Sequence, residues 1–285
     1  EMLVLSVYAK RHLPLGARIP RFELTALKNV RRFAAGLMAI TFLSTALTQI
    51  DKLLLSKILP LDIYGYFSIA LMMASAFSLL IGPIYNVAYP RLAELVASND
   101  ERALISDYHR FAQQISVVII PASVMVCVFS EEIVRLWLQN PEAAGQVSPI
   151  ISVWIIGTAI NGLMHVPYAA QLAHGWVRLS IIINILSVVV LVPALFIFVP
   201  LYGAIAAAWI WVALNVGYFL FGLHVMHSKI LKMEMWTWYF KDTGYAALVC
   251  VVSAASCHWI YTLLNFQERA AIIIYLFLSA ALVWI

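Results

Sequence analysis

The sequence predicts an all-α fold, a polytopic transmembrane bundle of about eight spans, and three observations carry that prediction. Of 285 residues, 64% are hydrophobic and 11% charged, with a mean hydropathy of +0.92, a composition outside the range of water-soluble domains. The apolar residues gather into runs at 33–59, 63–89, 111–129, 147–173, 179–199, 204–225, 244–264 and 270–285. At a rise of ~1.5 Å per residue, about 20 residues cross a hydrocarbon core. Many of the 9 Trp and 13 Tyr fall near the ends of these runs, where aromatic rings anchor at the interface.

Each element has a local reason. Residues 1–9 read as the tail of a preceding apolar segment, and the far end stops inside another run, so we expect a piece of a longer chain. The connector up to residue 32 carries Pro14, Gly16, Pro20 and seven Lys or Arg, and its part 22–32 reads as an amphipathic helix on anionic lipid. Pro60-Leu61-Asp62 turns the chain into the second span, which Pro83 and Pro90 should kink and end. The charged stretch 91–110 reads as a water-exposed surface helix, a break at Asn99-Asp100 and a new helix start. A short amphipathic helix at 131–139 precedes the Asn140-Pro141 turn. His174-Gly175-Trp176 and Pro200-Leu201-Tyr202-Gly203 make further turns, and 227–242 is a polar, Trp-rich loop. Short connections favour sequential antiparallel packing, helped by small residues such as Gly157, Gly162, Ala206 and Ala207.

Charge sets the orientation. Alternating the connections between two sides places 14 of the 18 Lys and Arg with the leading segment, which the positive-inside rule assigns to the cytoplasm. The net charge of +4 is spread over loops without an aromatic-interleaved basic motif, so nucleic acid is not an expected partner. Cys127, Cys250 and Cys257 lie in apolar runs without metal-ligand spacing.

The polar residues inside the spans are the candidate site. In the first span Thr41, Thr45, Thr48 and Lys52 form one helical stripe flanked by Gln49 and Asp51, and such a stripe should avoid lipid. Intramembrane charges usually line a pathway; the competing reading has Asp51 and Lys52 leaving the bilayer with Lys52 reaching the head groups. Asn86 lies on a polar face of the second span, and Arg91 just beyond it can receive an anionic head group or anchor the helix. In the fourth span Asn161, His165 and Tyr168 share a face with Gln171 beside it, able to bind sugar hydroxyls or to bond neighbouring helices. Asn184 and Asn215 read as interhelical bonds, His227 and His258 as interfacial, and His109 as a loop residue. No histidine has acidic company on its own helix face, and the sequence holds no His-Glu-x-x-His, nucleotide-binding glycine loop or Ser nucleophile elbow. A transporter, not an enzyme, is the expectation.

Several blocks resemble the bacterial O-antigen and polysaccharide flippases of the MATE-like exporter superfamily. They are Gln49-Ile50-Asp51-Lys52-Leu53-Leu54-Leu55-Ser56, Tyr64-Gly65-Tyr66-Phe67-Ser68, Tyr89-Pro90-Arg91-Leu92, Gln171-Leu172-Ala173-His174-Gly175 and Tyr202-Gly203-Ala204-Ile205-Ala206-Ala207-Ala208-Trp209. The resemblance implies that residues 33–227 form the second six-helix bundle and 228–285 a loop with two additional helices, after the connector 1–32. It implies a flippase of the bacterial inner membrane that moves an undecaprenyl-pyrophosphate-linked oligosaccharide by alternating access. Its partners would be that lipid-linked oligosaccharide, membrane lipids, a missing N-terminal bundle of the same protein and a polysaccharide polymerase. No cofactor is implied beyond a coupling ion, H+ or Na+. On that reading Thr45, Gln49, Asp51, Lys52, Asn86, Arg91, Asn161, His165 and Gln171 line the substrate pathway. The alternatives are a cation-coupled exporter of small cationic compounds and a non-transporting partner of a polysaccharide assembly complex.

Overall fold

A computed structural model of the chain describes residues 24–264, and these form helices joined by tight turns. In order they are α1 (Leu24–Ile58), α2 (Leu61–Ser75) with α3 (Phe77–Ala97), α4 (Glu101–Val128) and the short α5 (Ser130–Leu138). Then come α6 (Pro141–Leu163) with α7 (His165–Ala173), α8 (Val177–Tyr202), and α9 (Ala204–Gly217), which a π-helical turn (Tyr218–Gly222) joins to α10 (Leu223–Lys229). The last are α11 (Met235–Thr237), a second π-helical segment (Trp238–Gly244) and α12 (Tyr245–Leu264). Seven units are long and apolar enough to cross a membrane, and they match the first seven apolar runs in order. The eighth run, and the connector up to residue 23, lie outside the described residues.

The turns follow from the residues at them. Asn99 takes a left-handed backbone (φ 55°), and Asp100 then caps α4 by accepting from the Ala103 N–H at 3.1 Å. Asn140 caps α6 through the N–H groups of Glu142 and Ala143, at 3.0 and 3.2 Å, with Pro141 in the first turn. Gly203, at φ 70°, turns α8 directly into α9.

Four local expectations are corrected. Residues 24–32 are the first turns of α1, because no Gly or Pro interrupts the helix before Gly36. Pro90 does not end α3, which runs on to Ala97, and the break in the second span falls at Ala76, ahead of Pro83. Pro200 stays within α8, so Gly203 alone makes that turn. His109 is a residue of α4 and not of a loop.

The packing is only partly sequential: the third span meets the second and the fourth, and the sixth meets the fifth, but the first barely touches the second. α1 lies mainly against α8, α6 against α9, and the seventh span against α4, while the fourth span, α6 with α7, touches the second, third and sixth. Close approach at glycine explains two of these pairings. A Cβ on Gly36 would stand 2.6 Å from Val177 at the start of α8, and one on Gly157 would stand 2.5 Å from the Trp211 ring of α9. The core between them is filled by Phe67, Leu92, Tyr108, Ile115, Ile119, Ile151 and Leu195. Ile182, Ile185, Leu186, Val189 and Val190 stay exposed on α8, the face apolar enough for lipid.

Contacts between connections fix which ends lie together. Arg91 pairs with Asp107, His109 with Glu234, and Lys229 stacks over Trp176, so the connections after spans two, four and six share one end. Residues 58–60, 145–149 and 199–204 surround a single pocket at the other end.

Candidate functional site

Five spans line a half-open cavity of about 610 Å³, with walls from α1, α2 and α3, α6 and α7, α8, and α9. Its lining is mostly apolar and aromatic, and the polar groups come from few positions: Thr48, Asp51 and Lys52 on α1, Ser75 and Ser78 beside the Ala76 break, and Thr158, Asn161, His165 and Tyr168.

The break in the fourth span shapes one wall. Pro167 has no N–H to give to the carbonyl four residues back, and the chain breaks at Met164, three residues ahead of it. The Asn161 carbonyl accepts instead from the Met164 N–H at 3.1 Å and from His165 Nδ1 at 3.0 Å. The ring nitrogen that faces the carbonyl therefore carries the proton. Asn161 also reaches sideways, donating Nδ2–H to Asn215 Oδ1 at 2.9 Å, while Asn215 donates to the Trp211 carbonyl at 2.8 Å. Asn161 thus holds α6 to α9 and still lines the cavity.

Aromatic planes complete the walls. Trp154 and Trp211 stack at 5.5 Å with 10° between planes, and Tyr85 stacks with Tyr168 at 6.2 Å and 14°. Such faces accept the apolar face of a ring by stacking. A second cavity of about 220 Å³ shares Asn161, His165 and Tyr168 and adds Ser44, Ser180, Asn184 and Tyr218. The shared residues stand between the two spaces.

Asp51 is 8% exposed, and its Oδ1 accepts from the Lys52 N–H at 2.7 Å. Among the described residues no ion pair joins it to a Lys or Arg side chain. Lys52 is exposed and lies at the edge of the cavity, where it also lines an open groove with Gln49.

Comparison with known proteins accords with this architecture. The family described as "Polysaccharide biosynthesis protein" matches residues 2–141. The chain is 19% identical, over 218 residues, to a Shigella flexneri protein named "Putative O-antigen transporter", covering 74% of this chain and 49% of that one. Over roughly its first half the chain is thus similar to polysaccharide biosynthesis proteins. Its fold is similar to that of the lipid II flippase MurJ in an inward closed conformation, with a TM-score of 0.65 at 15% identity, over 99% of this chain and 57% of that one. The chain thus spans about half the length of the relatives it matches. With seven candidate spans among the described residues, it is a multi-pass membrane protein.

Against that background the sequence-selected residues separate into groups. Asp51, Lys52, Asn161 and His165 meet at the main cavity, with Thr48 and Tyr168. Gln49 faces the open groove outside it, and Thr45 and Asn86 are exposed without lining either cavity. The stripe expected to avoid lipid is uncovered by the described residues, and hydroxyl bonding within the helix makes this tolerable: Thr41 donates to the Leu37 carbonyl and Thr48 to the Thr45 carbonyl. Arg91 is engaged by Asp107 and Glu94, both at 2.9 Å, and does not line the cavity. Gln171 is fully buried and accepts from Ser180 Oγ at 3.0 Å, a bond between α7 and α8.

Sequence reasoning placed Ser75 and Ser78 on the polar face of the second span, and they line the cavity, but it missed the aromatic walls. It also missed a polar cluster at the basic end, where His109 meets Asp242 and Glu234. A signal for it existed: His109 and Gln113, at i and i+4, form a polar pair on the helix that carries the third span.

Proposed function

We propose that this chain is one half of a flippase for an undecaprenyl-pyrophosphate-linked oligosaccharide, and that the cavity between its five spans forms part of the saccharide path. The observation that supports this reading is the lining itself. A space of about 610 Å³ combines stacked aromatic planes, short polar side chains, one buried carboxylate and one Lys at its edge. Sugar rings present apolar faces to aromatic planes and hydroxyls to Ser, Thr and Asn, while a pyrophosphate calls for a cation. Arg91 is committed to two carboxylates, so Lys52 is the cation for that role.

Asp51 takes the coupling role. A carboxylate inside a span, with no cationic side chain on it, can bind a proton or Na+ as the two bundles alternate. The uncovered polar face of α1 then meets the first six-helix bundle of the same protein, and residues 228–285 supply the two additional helices. The end that holds Arg91, Arg110 and Lys229 faces the cytoplasm of a bacterial inner membrane, because it collects the basic residues. No step in this cycle makes or breaks a covalent bond.

Complementation tests the reading. The full-length gene, expressed in cells lacking a polysaccharide flippase, restores surface glycan, and Asp51→Asn and Lys52→Ala lose it at normal membrane levels. Restored glycan in both variants removes the pair from the path. Resistance to cationic dyes without glycan transfers the cavity to a small-cation exporter.

A further inference from the structure

Outside the cavity, the basic end of the bundle holds a second ionisable centre. His109 on α4 lies between two carboxylates that come from more than 120 residues further along the chain: its Nδ1 is hydrogen bonded to Asp242 Oδ2, and its Nε2 to Glu234 Oε2 at 3.0 Å. The other oxygen of Asp242 accepts from Gln113 Nε2 at 2.9 Å. The Asp242 side chain is fully buried, that of His109 is 14% exposed, and that of Glu234 is 24% exposed.

Proton counting gives this arrangement its meaning. A neutral imidazole carries one N–H and a carboxylate none, yet both ring nitrogens face carboxylate oxygens. Two hydrogen bonds need two protons, so the cluster holds one more than a neutral ring and two carboxylates supply. The ring itself fills the space between the carboxylates, so the ligand they share is a proton. Glu234 is the member open to water and gives that proton its route.

The cluster sits at a joint. Asp242 belongs to the second π-helical segment, which leads the seventh span, and Tyr239 of that segment donates to the Phe219 carbonyl of the first π-helical turn at 2.7 Å. Trp238, 1% exposed, packs against Phe219. The other titratable groups beside the ring are Tyr108 on its own helix, with 5.4 Å between ring centroids, and His227 from α10; Tyr218 and Tyr239 stand beyond them, around Tyr108. Tyr108 and His227 bond each other at 3.2 Å.

We propose that His109, Asp242 and Glu234 form a proton-binding site that docks the seventh span on α4. With the proton bound, the imidazolium joins both carboxylates. Without it, a ring lone pair faces an anion and the buried Asp242 loses a donor, so the segment releases. Docking is therefore present at low pH and lost as pH rises through the cluster's titration. The proposal stands independently of what the cavity carries.

Thiol labelling in the full-length protein tests it. Thr243 is 5% exposed in the docked segment, and Thr243→Cys reports its opening. Maleimide labelling is followed from pH 5.5 to 9.5 in lipid vesicles, with labelling of the parent chain subtracted and the rate normalised to the denatured protein. The expected result is a rise of at least tenfold across one titration step. Glu234→Gln shifts that step down by about one pH unit, because one anion no longer favours the imidazolium. His109→Gln abolishes it. Flat labelling in the parent Thr243→Cys protein, or an unmoved step in Glu234→Gln, overturns the proposal.

Discussion

Asp51 and Lys52 are adjacent in the chain and separate in role. A helix turns about 100° per residue, so neighbours diverge: Asp51 is buried at the cavity and Lys52 is exposed at its edge. A charge inside a span costs about 2.5–3.5 kcal/mol on insertion scales, which a merely structural position has no reason to carry. Asp51→Asn keeps the shape and removes the charge. Loss of a charged contact of about 1.5–3 kcal/mol should lower glycan export roughly tenfold or more in the complementation assay, with membrane level unchanged. Asn215 gives the contrasting case. Its bond to Asn161 joins two spans, so Asn215→Ala should lower stability in detergent by about 0.6–1.7 kcal/mol, read as a lower unfolding temperature.

At the scale of elements, breaks in two spans position the polar groups of the cavity. The break at Met164 comes three residues ahead of Pro167 and gives His165 a backbone carbonyl to hold. The break at Ala76 has no proline beside it; the Ala76 and Leu79 N–H groups bond carbonyls three residues back, at 3.2 and 3.1 Å. Pairing of spans rests on the glycines. Gly157→Ala would drive a methyl group against Trp211, and overpacking of this kind costs about 1–3 kcal/mol. The expected outcome is a lower unfolding temperature, rescued in part by Trp211→Phe. Unchanged stability in Gly157→Ala would show that the indole yields freely.

For the whole molecule, the uncovered face of α1 is the feature that asks for a partner. Thr45, Thr48, Gln49 and Lys52 are exposed on a helix that packs mainly on α8. A first bundle placed against this face would close a wet chamber around it. Single cysteines at Thr45 and Gln49 in the full-length protein should then react with a water-soluble maleimide, with labelling reduced severalfold by lipid-linked oligosaccharide. Labelling only by a lipid-soluble reagent would place this face in the bilayer.

How much of this was legible in the sequence differs by level. Seven spans, the break at Asn99-Asp100, the turn at Asn140-Pro141, and the nearness of Asn161 to His165 were readable, because each depends on residues within a turn or two of one another. The sequence could not place His227, expected at the interface and found buried against Tyr108, nor give His109 its acids. Those carboxylates stand on another segment, and periodicity reports only which residues share a helix. The sequence by itself determined the membrane class and the spans, since apolar length and local turn residues are properties of the chain. Only the tertiary structure decided which spans touch, which polar residues meet in the cavity, and that Arg91 and Gln171 are occupied elsewhere. Those outcomes depend on where glycines let backbones approach and where distant side chains satisfy each other out of water.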